Sequence, residues 1–188
     1  YDQTARLIEG ADHVISLVGI LHETKGNTFE TVQAKGPMLV GKIAREKNVR
    51  SLVHVSAIGA DVNSKSLYAS SKGLGETYIR DEFEKTVILR PSIIFGPDDN
   101  FFNRFANLAA FAPFLPLIGG GTTKFQPVYV QDVASAIMVA LEDSAKVGND
   151  YELGGPSIYS FRELLELLEK HTLRKRALVN IPFFLASL

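Results

Sequence analysis

Short runs of β-branched and other apolar residues alternate along this chain with longer segments of helical periodicity. Apolar strands separated in this way by amphipathic helices are typical of a parallel sheet with helices on both faces. The sequence therefore predicts an α/β fold with a doubly wound parallel sheet. The predicted strands cover residues 14–20, 52–55 and 86–89, and the predicted helices between them cover residues 28–47 and 67–83.

The second half of the chain continues the alternation with one interruption. Residues 112–126 contain prolines and the triplet Gly119, Gly120 and Gly121, which predicts an irregular loop. Residues 90–97 are expected to form the exit loop of the third strand. The remaining elements are helices at residues 101–111, 132–141 and 161–170 and strands at residues 127–130 and 151–153; Asp132 is the expected N-cap of its helix, and Leu164, Leu165 and Leu168 are expected on one helix face.

Charge and cysteine content exclude several functional classes. The 20 basic residues are balanced by 21 acidic residues, so the chain lacks the positive field that gathers nucleic acid, and no nucleic-acid partner is predicted. The absence of cysteine excludes disulfides, thiolate metal sites and cysteine nucleophiles. Four scattered histidines do not suggest a metal site, and none is predicted.

The exits of the predicted strands are the expected place for a ligand site. In an open parallel sheet, ligands bind in the crevice beyond the carboxyl ends of the strands. The residues that occupy these exits are Val18 and Gly19, Ser56 and Ala57, and Pro91 and Ser92.

Tyr68 and Lys72 lie four residues apart in a predicted helix and therefore share a face. A neighbouring ammonium favours the phenolate, so we expect Lys72 to lower the pKa of Tyr68 and the pair to shuttle a proton. A solvated helix face would show the same spacing. Ser56 precedes the pair and Pro91 and Ser92 follow it, so three segments are expected to converge on one crevice.

The order of four motifs resembles the extended and atypical short-chain dehydrogenase/reductase family. The motifs are YASSK at residues 68–72, LRPSIIFGP at 89–97, PVYVQDVA at 127–134 and YELGGP at 151–156. The resemblance implies a single NAD(P)-binding Rossmann-like domain over residues 1–188, incomplete at its N-terminus and also expected to be incomplete at its C-terminus. The implied cofactor is NADP or NAD, with NADP preferred.

The resemblance also implies roles for individual residues. Tyr68 would donate a proton beside the nicotinamide, Lys72 would bind the nicotinamide ribose, and Ser56 would act in catalysis or only touch the cofactor. The remaining implied cofactor contacts are Leu17, Val18 and Gly19 on the adenosine side, Ala57 after the second strand, and Pro91, Ser92 and Ile93 at the nicotinamide end.

Within this family, three segments are similar to the branch that supplies NAD(P)H-binding accessory subunits to respiratory complex I. The segments are LVGIL at residues 17–21, HVSAIGAD at 54–61 and FQPVYV at 125–130. Three functions stay open: an oxidoreductase or epimerase acting on an unknown small molecule, a non-catalytic NADPH-holding subunit, and a sensor of the nucleotide ratio. The implied partners are a dinucleotide and a respiratory complex or membrane surface. The implied location is the cytoplasm or the periphery of the inner membrane, which is the matrix side in mitochondria.

Several positions depart from the family pattern. Gln33 stands where extended members carry asparagine and Pro37 where they carry threonine, which affects the expected water-mediated proton relay. Ala57 and Ile58 stand where many members place another catalytic hydroxyl. No glycine-rich phosphate loop follows a buried strand, so we expect this stretch alone not to bind a dinucleotide normally.

Other polar residues have simpler interpretations. His54 is predicted to be a hydrogen-bonded core residue, and residues 98–100 are predicted to form a polar turn. Arg174, Lys175 and Arg176, followed by an apolar stretch over residues 177–188, indicate either a surface for acidic lipid or a partner subunit, or a segment normally covered by other residues.

Overall fold

The computed structural model describes residues 1–182 as two compact units. Unit 1 comprises Tyr1–Pro91 and Gln131–Leu153, and unit 2 comprises the described residues of Ser92–Val130 and Gly154–Leu188. The end of the predicted apolar stretch, residues 183–188, lies outside the described residues.

Unit 1 is built on a four-stranded parallel sheet. Its strand order is β1-β2-β3-β8, and each neighbouring pair is parallel, with His13 opposite Ser51, Val53 opposite Val87, and Leu89 opposite Tyr151. The predicted parallel α/β class is therefore confirmed. The elements of this unit are α1 (Asp2–Ile8), β1 (His13–Ser16), a π-helical segment (Glu30–Lys35), α2 (Gly36–Glu46), β2 (Ser51–Val55), α3 (Leu67–Glu82), β3 (Val87–Pro91), α5 (Val130–Glu142) and β8 (Asp150–Leu153).

The core of unit 1 lies between α2, α3 and the sheet. Ile43 on α2, Leu52 on β2 and Ile79 on α3 are fully buried and belong to one apolar cluster. The two helices can approach closely because Gly41 has no side chain. A Cβ at this position would lie 2.9 Å from the carbonyl oxygen of Ile79. Burying side chains of this size contributes about 2 kcal/mol each to folding.

Two predictions in unit 1 need correction. The first strand ends at Ser16, and the apolar residues after it form a loop in which Leu17 is largely exposed. An apolar run alone therefore did not locate the end of the strand. Asp132 is the third residue of α5 rather than its N-cap, because the helix already begins at Val130.

The helix predicted over residues 28–47 is present in two parts. The π-helical segment covers Glu30–Lys35, and α2 then continues to Glu46, before Asn48 adopts a left-handed conformation with φ of 55°. π-Helical turns are rare and occur frequently at functional sites. The widened turn lies beside the residues described in the next subsection.

Unit 2 combines two helices with three two-stranded sheets. β4 pairs with β7 and β5 with β10 in parallel, while β6 pairs with β9 in antiparallel. Ser160 and Glu163 form a capping box at the start of α6, whose Leu164, Leu165 and Leu168 are buried as predicted. The elements of this unit are β4 (Ile94–Phe95), α4 (Phe102–Phe111), β5 (Phe114–Ile118), β6 (Lys124–Phe125), β7 (Val128–Tyr129), β9 (Tyr159–Ser160), α6 (Phe161–Thr172) and β10 (Ala177–Ile181).

The prediction of an irregular loop over residues 112–126 was partly wrong. Five of these residues form β5, which contains Pro116 and pairs with β10 more than 50 residues downstream. Gly119, Gly120 and Gly121 do form a turn, and all three have positive φ angles. The region predicted as an exit loop is also partly regular, because β3 extends to Pro91 and β4 follows.

Candidate functional site

Lys72 is buried at the carboxyl ends of β1 and β2. Only 5% of the residue is exposed, and its Nζ donates to the carbonyl oxygens of Val18 at 3.5 Å and Val55 at 3.4 Å. Burial is the main influence and lowers the pKa of Lys72, while the carboxylate of Glu76 acts in the opposite direction. A lysine seldom lies this deep without a functional or structural reason.

Gly19 leaves room for the Lys72 side chain. A Cβ at position 19 would lie 3.0 Å from Lys72 Nζ and 3.5 Å from Gln33 Oε1. The backbone after β1 can therefore approach the buried amine only because this residue has no side chain. Leu17, Val18 and Gly19 are all exposed, and they form the loop that leaves β1.

Ser56 directly follows β2 and lies beside the end of β3. Its N–H donates to the carbonyl oxygen of Leu89 at 2.7 Å, and the N–H of Ile58 donates to that of Pro91 at 3.0 Å. These bonds hold half-buried Ala57 between two anchored residues. The Oγ of Ser56 is buried and has no hydrogen-bond partner among residues 1–182, which is unusual for a buried hydroxyl.

Tyr68 is half-buried near the start of α3, one turn before Lys72. Its ring packs edge-on against Phe29 with centroids 6.1 Å apart. Burial raises the pKa of Tyr68, so the expectation that Lys72 lowers it was wrong. The reason is geometric, since Lys72 Nζ is held by the strand-end carbonyl oxygens and desolvation is the only influence found on the phenol.

Gln33 is a site residue that the sequence did not reveal as one. It is fully buried, accepts from the Ile20 N–H at 3.3 Å through Oε1 and donates to Ser71 Oγ at 2.9 Å through Nε2. Ser71 in turn donates to the carbonyl oxygen of Tyr68 at 2.9 Å. The one signal in the sequence was that Gln33 stands where family members carry asparagine. In the structure, the Gln33 side-chain amide connects the segment that contains Ile20 to the helix that contains Ser71.

His54 lies beneath these residues in β2. It is fully buried, and its Nδ1 lies 3.1 Å from Ser16 Oγ, which agrees with the prediction of a hydrogen-bonded core histidine. Burial, followed by the charge of Lys72, lowers the pKa of His54 to about 3. The imidazole is therefore neutral at physiological pH.

An ion-pair cluster holds α3 against β3 and β8. Arg90 forms a bidentate salt bridge with buried Glu76. Its Nε donates to Oε1 at 3.0 Å, and its Nη2 donates to Oε2 at 2.6 Å. Arg90 also pairs with Asp150 at 3.0 Å, and Arg80 pairs with Asp150 from the other side. Hydrogen bonding to Glu76 is the main cause that raises the pKa of Arg90. Because Glu76 is one turn after Lys72, the cluster fixes the helix that carries the site.

Ser92 and Ile93 belong to unit 2. Ser92 Oγ accepts from the Gln126 N–H at 3.4 Å, and the carbonyl oxygen of Ile93 accepts from the Val128 N–H at 2.9 Å. Both residues are half-buried. These bonds fix the start of unit 2 onto the segment that leads into β7.

Unit 2 contains an apolar cavity of about 490 Å³. Phe102 and Asn103 line it, whereas Phe101 and Phe105 pack against Phe161 in the core. In the predicted polar turn before α4, Asp99 caps the helix, because its carboxylate accepts from the Phe101 N–H at 2.9 Å. The other residues that line the cavity are Phe95, Ala106, Pro127, Pro156, Ser157, Tyr159, Leu164, Leu167, Leu168, His171 and Thr172.

Within residues 1–182, no group of three or more His, Asp or Glu side chains is arranged to hold a metal ion.

The model of the NAD dependent epimerase/dehydratase family matches residues 1–154. The chain belongs to this family. A relative of similar sequence is the mitochondrial NADH dehydrogenase [ubiquinone] 1 alpha subcomplex subunit 9 of Arabidopsis thaliana, which is 35% identical over 99% of this chain and 47% of its own length. The resemblance to the complex I accessory subunits is thereby confirmed.

Two further comparisons extend this result. A ceramide reductase of Caulobacter vibrioides is 31% identical over 71% of this chain and 41% of its own length. The structure of dTDP-glucose 4,6-dehydratase from Streptomyces venezuelae with NAD bound matches 96% of this chain and 64% of that chain, with a TM-score of 0.84 and 21% identity. This match confirms the Rossmann-like fold. The chain spans about half the length of the curated relatives it matches.

Proposed function

We propose that this chain is the part of an NAD(P)-binding protein that contacts the nicotinamide half of the dinucleotide. The observation that carries the proposal is buried Lys72, whose Nζ lies at the carbonyl oxygens of Val18 and Val55 beside the unpartnered hydroxyl of Ser56. Both groups lie at the carboxyl edge of a parallel sheet, where such folds bind ligands. Membership of the NAD dependent epimerase/dehydratase family supports the same cofactor.

Two features of unit 1 fit a dinucleotide. Lys72 offers hydrogen bonds to ribose hydroxyls, and Gly19 has no side chain to obstruct the backbone of the first loop. NADPH is the preferred form, and NADH is the alternative. The proposed contacts are Leu17, Val18, Gly19, Ser56, Ala57, Tyr68, Lys72, Pro91, Ser92 and Ile93, of which Tyr68, Lys72 and Ser56 are the proposed catalytic residues.

A bound nicotinamide would supply or accept a hydride. Tyr68 holds a proton on Oη, because burial raises the pKa of this phenol and keeps it neutral at physiological pH. In a carbonyl reduction, Tyr68 Oη would give this proton to the substrate oxygen. Lys72 holds the ribose, and Ser56 Oγ orients the substrate oxygen.

Titration of the full-length protein with NADPH and NADH tests the proposal. Lys72→Met should weaken binding about tenfold or more, since a buried hydrogen-bonding amine is removed. Lys85→Met replaces an exposed lysine and is the matched control, for which no change is expected. Failure of the full-length protein to bind either nucleotide would refute the proposal.

The second candidate is a cofactor-holding subunit of a respiratory complex, at the periphery of the inner membrane. The similarity to the Arabidopsis complex I subunit favours it. Tyr68→Phe separates the two candidates, because an enzyme loses turnover while a holding subunit keeps both nucleotide binding and its place in the complex. Blue-native electrophoresis of membranes from cells carrying the tagged variant measures the second property.

For the enzymatic candidate, the proposed substrate class is an amphiphilic carbonyl compound. The similarity to a ceramide reductase supports this class over a nucleotide sugar. NADPH oxidation by the full-length protein, compared between a long-chain keto-lipid and a nucleotide-linked keto-sugar, should favour the lipid. Faster turnover of the sugar would refute the assignment of the substrate class.

A further inference from the structure

The edge at which β5 and β10 begin gathers residues from two distant segments. The two strands are parallel, and Phe114 at the start of β5 lies opposite Ala177 at the start of β10. α4 ends at Phe111, three residues before Phe114, and α6 ends at Thr172, five residues before Ala177. Parallel neighbours begin on the same side of a sheet, so the ends of both helices lie at this edge.

Large apolar side chains at this edge are exposed. Phe111 and Leu173 each have 91% of their surface exposed, and Phe114 has 43%. These three residues, together with Arg174 and Lys175, are called the basic–apolar edge below. Their exposure to water is unfavourable for an isolated molecule, and adjacent exposed apolar residues indicate an interaction surface.

Leu173 is also strained. It follows α6 with φ of 56° and ψ of 26°, a left-handed conformation that glycine usually occupies at the end of a helix. Leucine is therefore unfavourable here for the backbone, and its side chain, which is 91% exposed, packs little against the described residues 1–182. A residue that opposes local stability in this way is expected to serve binding.

The charges at this edge are positive. Arg174 and Lys175 are exposed, and neither forms an ion pair with any residue between 1 and 182. Lys170 adds a third positive charge in the last turn of α6. The nearby carboxylate of Glu169 is already engaged, since its Oε1 accepts from the Arg176 N–H at 2.8 Å.

We infer that the basic–apolar edge binds the surface of an anionic phospholipid bilayer. Exposed phenylalanine and leucine side chains flanked by lysine and arginine are the combination that enters the headgroup region of such membranes. No helix in the described part of the chain is long and apolar enough to span a bilayer. All of these residues belong to unit 2, so the inference is independent of dinucleotide binding by unit 1.

Co-sedimentation of the full-length protein with vesicles tests this inference. We expect binding to phosphatidylcholine vesicles that contain phosphatidylglycerol, weak binding to pure phosphatidylcholine, and release at high salt. Arg174→Gln and Lys175→Gln should each weaken binding about fivefold. Arg50→Gln and Lys85→Gln remove exposed charges from unit 1 and should leave binding unchanged.

Leu173→Gly separates membrane binding from folding. Glycine adopts the left-handed conformation freely, so the thermal unfolding midpoint should stay constant or rise while vesicle binding falls severalfold. Leu7→Gly, at an exposed leucine of α1, is the comparison expected to leave vesicle binding unchanged. The inference fails if the wild-type protein ignores anionic vesicles, binds neutral ones equally well, or binds unchanged after Leu173→Gly.

Discussion

Gln33 and Ser71 are joined by a buried hydrogen bond of 2.9 Å that connects the π-helical segment to α3. The same glutamine accepts from the backbone of Ile20, and the same serine donates to the carbonyl oxygen of Tyr68. The loop after β1 and the helical turn that begins at Tyr68 are thus connected through two side chains. The amide of Gln33 is a positioning group for the candidate site.

Gln33→Leu should destabilise the protein by about 2 kcal/mol, because the Ile20 N–H would lose its acceptor and the buried Ser71 Oγ would lose the N–H from which it accepts. Urea denaturation measures this change. Gln3→Leu replaces an exposed glutamine of α1 and should change stability by less than about 0.5 kcal/mol. Equal effects of the two substitutions would show that the buried amide is unimportant.

Gly75→Ala should destabilise the protein by about 3 kcal/mol or prevent folding. A Cβ at position 75 would lie 2.0 Å from the carbonyl oxygen of Gln33, so α3 and the π-helical segment would have to separate. Gly36→Ala is the matched control, since its Cβ would meet its nearest atoms at 3.6 Å. Alanine in a helix is favoured over glycine, so this control should be neutral or stabilising by up to about 1 kcal/mol in thermal denaturation.

Glu76→Gln should reduce the free energy of unfolding by about 3 kcal/mol. The substitution removes the carboxylate that is buried against Arg90 and leaves that guanidinium only partly neutralised. Glu30→Gln breaks the exposed pair with Lys35 and should leave the free energy of unfolding nearly unchanged, because solvent screens that pair. Chemical denaturation of both variants at neutral pH gives the comparison, and similar losses would contradict the proposed importance of burial.

His54 should make stability depend on pH. Its pKa is about 3 in the folded protein and near 6.5 when unfolded, so between these values only the unfolded chain binds the proton. The contribution of His54 is fully present above about pH 6.5 and is lost as pH falls toward 3, with a slope of about 1.4 kcal/mol per pH unit.

Comparing His54→Asn with the wild-type protein isolates this contribution, because the titrating carboxylates are the same in both. Unfolding free energies measured between about pH 4 and 6 should fall less steeply for the variant, and above pH 7 the two slopes should coincide. Parallel pH profiles throughout this range would show that the imidazole can be protonated in the folded state.

Local hydrophobic periodicity was sufficient to predict those helices and strands whose residues carry the pattern themselves. The helix at Leu67–Glu82 was predicted within one residue at its end, and the strands of unit 1 followed from their apolar runs. β5 was not predicted because its pairing depends on β10, and Pro116 suggested a loop. An edge strand tolerates proline, and this tolerance is set by the partner strand rather than by local sequence.

The sequence indicated which residues lie near one another at the candidate site, but it did not indicate how their side chains are directed and hydrogen-bonded. The spacing of Tyr68 and Lys72 and the strand exits at Ser56 and Pro91 predicted residues that the structure does place at the carboxyl edge of the sheet, and their role in ligand binding stays a prediction. The direction of the lysine side chain, toward the carbonyl oxygens of Val18 and Val55, depends on tertiary packing that no spacing reveals. Gln33 was missed as a bridging residue for the same reason, because a π-helical turn shifts the face on which it lies.

β1 lies at one end of the four-stranded sheet, with β2 as its partner on one side and no other partner strand among the 182 described residues. Its free backbone groups can hydrogen bond to any extended chain that approaches, and Ile15 is exposed beside them. The described residues on their own would therefore tend to associate with another copy through strand addition. In such oligomers, β1 of one copy would pair with an extended strand of another copy.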